Sequence, residues 1–115
     1  MNRQLFPIRK ANFILYRTED VNSEYPIEEF NMVCGMERAD SAGADIISAS
    51  LGYSEFDDAS FNHTYAQMNG NTTIAANGAD LAAKKGILFV AAAGNEGPGS
   101  IASTAQTSVS QCREE

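Results

Sequence analysis

The stretch Gly86-Ile87-Leu88-Phe89-Val90-Ala91-Ala92-Ala93-Gly94-Asn95-Glu96-Gly97 decides how the rest of the chain is interpreted. Residues 87–90 are consecutive apolar residues, a pattern typical of a strand that is buried on both faces. The alanines and the glycine that follow are small enough to let a ligand or another backbone approach the end of the strand. Asn95 then adds a side-chain amide with N–H donors. Because ligands bind at the carboxyl ends of parallel strands, this strand end is a candidate site, although an ordinary turn uses the same residue types.

The chain upstream of this stretch predicts an alternation of strands and helices. We predict three strands near residues 11–17, 45–51 and 87–93, and two helices near residues 26–42 and 72–85. Pro26 suits the first position of a helix, and Gly43 and Gly86 suit the positions where helices end. The order strand-helix-strand-helix-strand implies parallel strands with right-handed crossovers. The predicted fold class is α/β, a three-layer fragment built on a parallel sheet.

Helical spacing predicts which face of each helix is buried. The inner face of the first helix is predicted to carry four apolar residues, namely Ile27, Phe30, Val33 and Cys34. Cys34 is therefore interpreted as a small buried hydrophobe. The inner face of the second helix is predicted to carry Ile74, Gly78, Leu81 and Ala82.

Length and charge restrict the class of protein. The 115 residues form at most one domain, and the net charge of -7 argues against nucleic acid or an anionic membrane surface as a partner. No run approaches the roughly 18 apolar residues of a membrane span. The first ten residues have no apolar core of the kind a signal peptide needs, so no signal peptide is predicted. Residues 98–115 are rich in Ser, Thr, Ala and Gln and are predicted to form a flexible tail.

A long polar and aromatic loop is predicted over residues 53–70, and loops of that length are usually functional or mobile. Four of its side chains carry oxygen ligands of the kind that calcium takes, namely Asp57, Asp58, Asn62 and Asn69. Their spacing does not match an EF-hand, so solvated loop polarity is the preferred interpretation and no metal site is predicted. His63, the single histidine, is interpreted as a surface loop residue.

Two motifs end consecutive predicted strands with one helix between them. Ser50-Leu51-Gly52 ends the second strand, and Ala91-Ala92-Ala93-Gly94-Asn95-Glu96-Gly97 ends the third. This pair resembles the subtilisin-like serine proteases, the subtilase family or peptidase S8. Tyr25 at the entry of the first helix and the segment Gly43-Ala44-Asp45-Ile46-Ile47 fit the same family pattern. The resemblance covers about residues 11–97 as a core segment of a single partial domain, 1–115.

The resemblance implies a role for each matching residue. Asn95 matches the oxyanion-hole asparagine, and Ser50, Leu51 and Gly52 match the segment that pairs with the backbone of a peptide or protein substrate. Ala92, Ala93 and Gly94 match a wall of the primary specificity pocket, whereas Tyr25 and Leu51 resemble the borders of a more distal pocket. The same resemblance implies a secreted or cell-surface protein.

The motifs that carry the Asp, His and Ser of the family's triad are not found in this sequence. The resemblance therefore implies an internal fragment that is inactive by itself. One alternative is a small α/β binding module in which the amides of Gly94, Gly97 and Gly99 cradle an anion, although no phosphate-loop motif is present and Glu96 would repel phosphate. Another alternative is an interaction protein that self-associates through exposed sheet edges.

Overall fold

The structure is a computed structural model, and it describes residues 10–92. The described part contains two α-helices, two β-strands and two short 3-10 helices. In chain order these are α1 (Ile27–Ser41), β1 (Ile46–Ala49), a 3-10 helix (Ala59–Phe61), a second 3-10 helix (Tyr65–Gln67), α2 (Ile74–Lys84) and β2 (Leu88–Ala91). None of the helices in this part of the chain is long and apolar enough to cross a membrane.

The two α-helices begin and end close to the residues that the sequence predicts. Pro26 directly precedes α1, and Thr73 caps α2 because its side-chain oxygen accepts a hydrogen bond from the backbone N–H of Ala76. Gly43 and Gly86 follow the helix ends with φ angles of 76° and 90°, a left-handed conformation that glycine adopts without strain.

The two strands pair in parallel, with α2 as the crossover between them. Ile46 lies opposite Leu88, and Ala49 lies opposite Ala91. The ladder extends by one bond past the strands, since the backbone N–H of Ala92 donates to the carbonyl of Ala49 over 3.1 Å. The described residues therefore confirm a small parallel α/β arrangement.

The predicted strand over residues 11–17 is wrong. This segment has no strand structure, and Leu15 is 92% exposed. An extended segment becomes a strand only when its backbone pairs with a neighbour, and here the chain passes along α1 instead. The side-chain amide of Asn31 on α1 donates to the carbonyl of Thr18 over 3.2 Å. In the described part of the chain the sheet thus has two strands rather than three.

The described residues also form two layers rather than the predicted three. One face of the sheet packs on both helices through a core of Met32, Met36, Ala49, Tyr53, Phe56, Ala75 and Ala79, with Ile47 and Phe89 against it. The opposite face is open: Ile46 is 59% exposed and Val90 is 46% exposed. The apolar run that predicted burial on both faces is covered on one.

Helix α1 turns a different face inward from the one predicted. Ile27, Phe30 and Cys34 are exposed, so the interpretation of Cys34 as a buried hydrophobe is wrong. The buried residues of α1 are Glu28, Glu29, Met32, Met36 and Ala39. The apolar spacing misled the prediction because two carboxylates of the first turn find hydrogen-bond donors inside the molecule. For α2, Gly78 and Ala82 are buried as predicted, whereas Leu81 is exposed.

Candidate functional site

The two strands leave the sheet at the same edge. Because the pairing is parallel and in register, Ser50 after β1 and Ala92 after β2 emerge side by side beyond the Ala49–Ala91 pair. This is the edge where the sequence places the candidate site. The predicted site residues Ala93, Gly94 and Asn95 lie outside the described residues, as do the glycines of the anion-cradle alternative.

An open cavity of about 570 Å³ adjoins the exit of β1. We call it the acidic cavity. Its walls come from the segment before α1, from the exit of β1 and from the loop after it: Glu19, Asp20, Val21, Asn22, Ser23, Glu24, Ser50, Leu51, Gly52 and Asp57. Three predicted substrate-binding residues, Ser50, Leu51 and Gly52, therefore share one cavity with four acidic side chains.

Tyr25, the predicted border of a distal pocket, directly follows the wall residue Glu24 but does not line the acidic cavity. Its side chain is exposed, and its carbonyl accepts a hydrogen bond from the backbone N–H of Glu28 over 3.0 Å. Tyr25 thus starts the first turn of α1 beside the acidic cavity.

Carboxylates in and behind the wall of the cavity raise the affinity of Glu24 for protons. Partial burial, followed by the charges of Glu28, Glu19 and Asp57, raises the pKa of Glu24. Asp20 behaves in the opposite way, because the backbone and side-chain N–H groups of Asn22 donate to its carboxylate and lower its pKa. The crowding is therefore concentrated on the Glu24 side of the acidic cavity.

Glu19, Glu24 and Glu28 place one carboxylate oxygen each within 4.8 Å of the others. We call these three residues the carboxylate cluster. Glu28 is 2% exposed; its Oε1 accepts a hydrogen bond from the backbone N–H of Asp20 over 2.8 Å. Its Oε2 is buried and has no hydrogen-bond partner in the described part of the chain.

The hydroxyl of Tyr53 donates a hydrogen bond to the carboxylate cluster. It donates to Oε1 of Glu19 over 2.5 Å, and the hydroxyl of Thr18 donates to the same oxygen over 2.6 Å. Tyr53 is almost fully buried, and burial together with the Glu19 hydrogen bond raises its pKa well above the ordinary value. The phenol therefore keeps its proton and remains a donor.

Sequence reasoning missed the carboxylate cluster. The available signal was the density of acids around Tyr25, where Glu19, Glu24 and Glu28 fall within ten residues. The same density of acids is equally typical of a solvated loop followed by the first turn of a helix, where acidic residues are favoured. Only the fold shows that the segment before α1 bends back over the first turn of the helix.

The long loop is anchored on α1 by a buried carboxylate. Glu29 is 1% exposed; its Oε1 lies 2.6 Å from Nε2 of His63, and its Oε2 accepts a hydrogen bond from the backbone N–H of Ile74 over 3.1 Å. The His63 ring also meets Phe56 edge-on at 5.4 Å. The interpretation of His63 as a surface residue is wrong, because its side chain connects the loop to the helix.

The four oxygen-bearing side chains of the loop hold the loop itself. One side-chain oxygen of each accepts a backbone hydrogen bond: Asp57 from Glu24, Asp58 from Ser60, Asn62 from Phe56 and Asn69 from Asn71. The bonds at Asp58, Asn62 and Asn69 are local and fix turns within residues 53–71. The bond from Glu24 to Asp57 joins the loop to the segment before α1.

A comparison with models of protein families identifies the family to which this chain belongs. The model of the Subtilase family, Peptidase_S8, matches residues 9–113. The chain belongs to the subtilase family. No curated protein and no solved structure matches it. The match includes both strand-end motifs and continues past Gly97, so the subtilase resemblance is confirmed and serine-protease chemistry is the chemistry of this family.

Proposed function

We propose that this subtilase chain supplies part of the substrate cleft of a serine endopeptidase, with Asn95 as an oxyanion-hole donor and without the Asp, His and Ser of the triad. The single observation that carries the proposal is the parallel register, because it brings the exit of β1, which adjoins an open cavity, beside the exit of β2. In this proposal the substrate is a peptide or protein, and the whole enzyme acts outside the cell or at its surface.

Residues 50–52 are proposed to receive the substrate backbone. They continue from β1 past the last bond of the ladder, from Ala92 to Ala49, and they face the acidic cavity. A peptide that adds to such a segment as a further strand gains main-chain hydrogen bonds, while neighbouring pockets select its side chains. Leu51, partly buried at the cavity wall, offers an apolar contact for one of those side chains.

Asn95 is proposed to act in the transition state. Its amide would donate to the negative oxygen that forms when a serine attacks the scissile carbonyl, so it would accelerate the chemical step more than it strengthens substrate binding. Removal of the equivalent donor from a subtilisin lowers kcat by about 10² to 10³, a magnitude taken from that enzyme. In this proposal no serine of the chain is activated by a histidine base, so no oxyanion forms for Asn95 to stabilise.

The open face of the sheet supports the idea that further protein completes the domain. Ile46, Leu88 and Val90 line this face and remain about half exposed. Parallel sheets are normally covered on both faces, so apolar side chains in this position favour a covering layer. In the proposed enzyme the remaining subtilase segments supply that layer, and self-association through the open face or edge is the competing outcome.

The proposal predicts that the purified chain does not hydrolyse peptides. We expect no turnover above background with a panel of fluorogenic peptides, because water lacks a positioned base in this chain. An Asn95→Ala variant serves as the control and is expected to behave identically. Turnover that a serine-reactive phosphonate abolishes and that Asn95→Ala lowers would show that a nucleophile is present and that the proposal is wrong.

A binding experiment tests the cleft separately from catalysis. Extended peptides titrated into the isotopically labelled chain are expected to shift the NMR signals of residues 50–52 and Ala92. Leu51→Ala should weaken this binding, whereas Leu81→Ala, the same truncation at an exposed position on α2, should leave it unchanged. Equal effects of the two substitutions, or shifts confined to other parts of the chain, would contradict the assignment of the cleft.

A further inference from the structure

We propose that Asn69 is a modification site, at which the backbone nitrogen of Gly70 displaces ammonia from the Asn69 side chain and an aspartate or isoaspartate results. The reaction is a spontaneous deamidation that needs only water. It is independent of the proposed function, since it involves neither a peptide substrate nor a catalytic triad. The site lies in the turn that leads from the long loop into α2.

The sequence contains two Asn-Gly pairs, which the fold places in different surroundings. They are Asn69-Gly70 and Asn77-Gly78. Deamidation starts when the backbone nitrogen of the next residue attacks the side-chain amide carbon, and a glycine in that place has no Cβ to block the approach. The two pairs share this chemistry, so a difference between their rates in the folded chain must come from the structure.

The backbone conformation favours reaction at the pair in the turn. Asn69 is exposed, and Gly70 lies outside the helices and strands with a φ angle of 80°. Gly78 is instead buried inside α2, where its backbone N–H belongs to the helical hydrogen-bond ladder. Closure of a ring at Asn77 requires that nitrogen to turn towards the side chain, so α2 must open first. The helix therefore protects Asn77, and the turn gives Asn69 no such protection.

Hydrogen bonds also prepare the amide of Asn69 for attack. Its Oδ1 accepts one bond from the backbone N–H of Asn71 over 2.8 Å and another from the hydroxyl of Thr72 over 3.0 Å. Negative charge develops on this oxygen when a nucleophile adds to the amide carbon, so the same two donors stabilise the tetrahedral intermediate. The bond from Asn71 folds the side-chain carbonyl back across the peptide of Gly70, which carries the attacking nitrogen. The leaving nitrogen, Nδ2, is held by a longer bond of 3.2 Å to the carbonyl of Ala66.

The reaction balances with water as its only co-reactant. Hydroxide removes the N–H proton of Gly70, the nitrogen forms a bond to Cγ of Asn69, and the intermediate expels ammonia to leave a succinimide ring. Water then adds to one of the two ring carbonyls and breaks the C–N bond at that carbon. Opening at the side-chain carbonyl gives aspartate, whereas opening at the main-chain carbonyl gives isoaspartate with an extra methylene in the main chain. Because a base removes the first proton, the rate rises with pH.

The two products change the entry of α2 in different ways. Aspartate adds a negative charge to a chain whose net charge is already -7, but it keeps an oxygen for the donors of Asn71 and Thr72. Isoaspartate lengthens the main chain and moves the carboxylate, so both hydrogen bonds are lost. Thr73, the cap of α2, follows directly. We therefore expect isoaspartate to lower Tm and aspartate to leave it nearly unchanged.

The test follows the purified full-length chain during incubation at mildly alkaline pH. Intact-mass spectrometry measures the replacement of NH₂ by OH, and electron-transfer fragmentation distinguishes aspartate from isoaspartate at positions 69 and 77. We expect Asn69 to react at least about tenfold faster than Asn77 in the folded chain, because a residue inside a helix reacts only through local opening. In guanidinium chloride, where α2 is unfolded, the two asparagines should react at similar rates.

Matched substitutions separate the donors from the attacking nitrogen. Thr72→Val removes the hydroxyl and should slow the reaction at Asn69 about two- to tenfold in the folded chain only, the value of one hydrogen bond. Thr72→Ser keeps the hydroxyl and should retain the wild-type rate. Gly70→Ala places a Cβ beside the attacking nitrogen and should slow the reaction in the folded and the unfolded chain alike. The unfolded chain keeps this test valid if the φ angle of 80° prevents the alanine variant from folding.

Two outcomes would overturn the proposal. Equal rates at Asn69 and Asn77 in the folded chain would show that the turn gives no advantage over the helix. A rate at Asn69 that is lower in the folded chain than in guanidinium chloride would show that its hydrogen bonds hold the amide away from Gly70 instead of activating it. The variant Asn69→Asp reproduces one product, and a wild-type Tm for this variant would support the assignment of the destabilising effect to isoaspartate.

Discussion

Two adjacent glutamates in the first turn of α1 meet opposite surroundings. Glu29 faces what we call the closed side, the contact of α1 with the loop and α2, where His63 and the backbone of Ile74 use both of its oxygens. Glu28 lies on what we call the open side, close to the cavity residues Glu19 and Glu24, and one of its oxygens has no hydrogen-bond partner in the described residues. Both residues are almost fully buried, so burial alone does not distinguish them.

The difference lies in how completely each carboxylate is hydrogen-bonded. A buried carboxylate with all its hydrogen bonds made ties elements together and needs nothing else. The carboxylate of Glu28, grouped with those of Glu19 and Glu24, keeps one oxygen without a hydrogen-bond partner in the described residues. The predictions below therefore expect large effects on stability at the closed side and small effects at the open side.

The largest effect is expected at Glu29. Replacement by alanine leaves His63 and the N-terminus of α2 without their shared acceptor, and removal of one partner from a buried pair costs about 3–5 kcal/mol. We expect Glu29→Ala to lower the free energy of unfolding by that amount, measured by urea denaturation. Glu37→Ala, an exposed truncation on the same helix, is the control. A loss below about 1 kcal/mol would show that the closed side does not depend on this carboxylate.

The next effect is expected at a tight contact between the two helices. A methyl group on Gly78 of α2 would lie 2.7 Å from Cγ2 of Val33 and 3.0 Å from Sδ of Met36. Gly78→Ala should therefore destabilise the chain by about 1–3 kcal/mol despite the better helix propensity of alanine. In Gly35→Ala the new methyl group has its nearest neighbour, Cγ2 of Thr18, at 3.4 Å, so this control should be neutral or stabilising. Equal behaviour of the two variants would refute the tight packing.

A smaller effect is expected at the cap of α2. The hydroxyl of Thr73 accepts a hydrogen bond from Ala76, and loss of such a cap costs about 1 kcal/mol. Thr73→Ala should show this loss in thermal unfolding, whereas Thr73→Ser keeps the hydroxyl and should retain most of the stability. If serine is as damaging as alanine, the methyl group of Thr73 rather than its hydroxyl stabilises the helix.

The sequence predicts the ends of the helices better than the buried contacts of α1, for a physical reason. Helix α2 and both glycine stops follow from local signals, because caps, periodicity and positive φ are properties of a few neighbouring residues. The inward turn of Glu28 and Glu29 depends on donors that lie up to 45 residues away, such as the backbone of Ile74. No local pattern contains such partners, and the same limitation explains the wrong strand at residues 11–17.

The candidate site divides in a similar way. The strand exits were predictable because motif spacing and parallel pairing together place Ser50 and Ala92 at one edge. The carboxylate cluster was not, since Glu19 reaches Glu28 only through a bend of the segment before α1. The role of Asn95, which lies outside the described residues, stays a prediction.

The smallest effect is expected on the open face of the sheet, and it tests whether that face is open in this chain. Ile46 and Ile47 are neighbours on β1 that point to opposite faces; Ile46 is exposed and Ile47 packs on the core. Ile47→Thr should cost about 1–2 kcal/mol because it places a hydroxyl against apolar neighbours, whereas Ile46→Thr should change stability by less than about 0.5 kcal/mol. Urea denaturation at two protein concentrations measures both effects. A cost at Ile46 as large as that at Ile47, growing with protein concentration, would show that a second copy covers the face, and the contrast between the packed face and the open face of the sheet would fail.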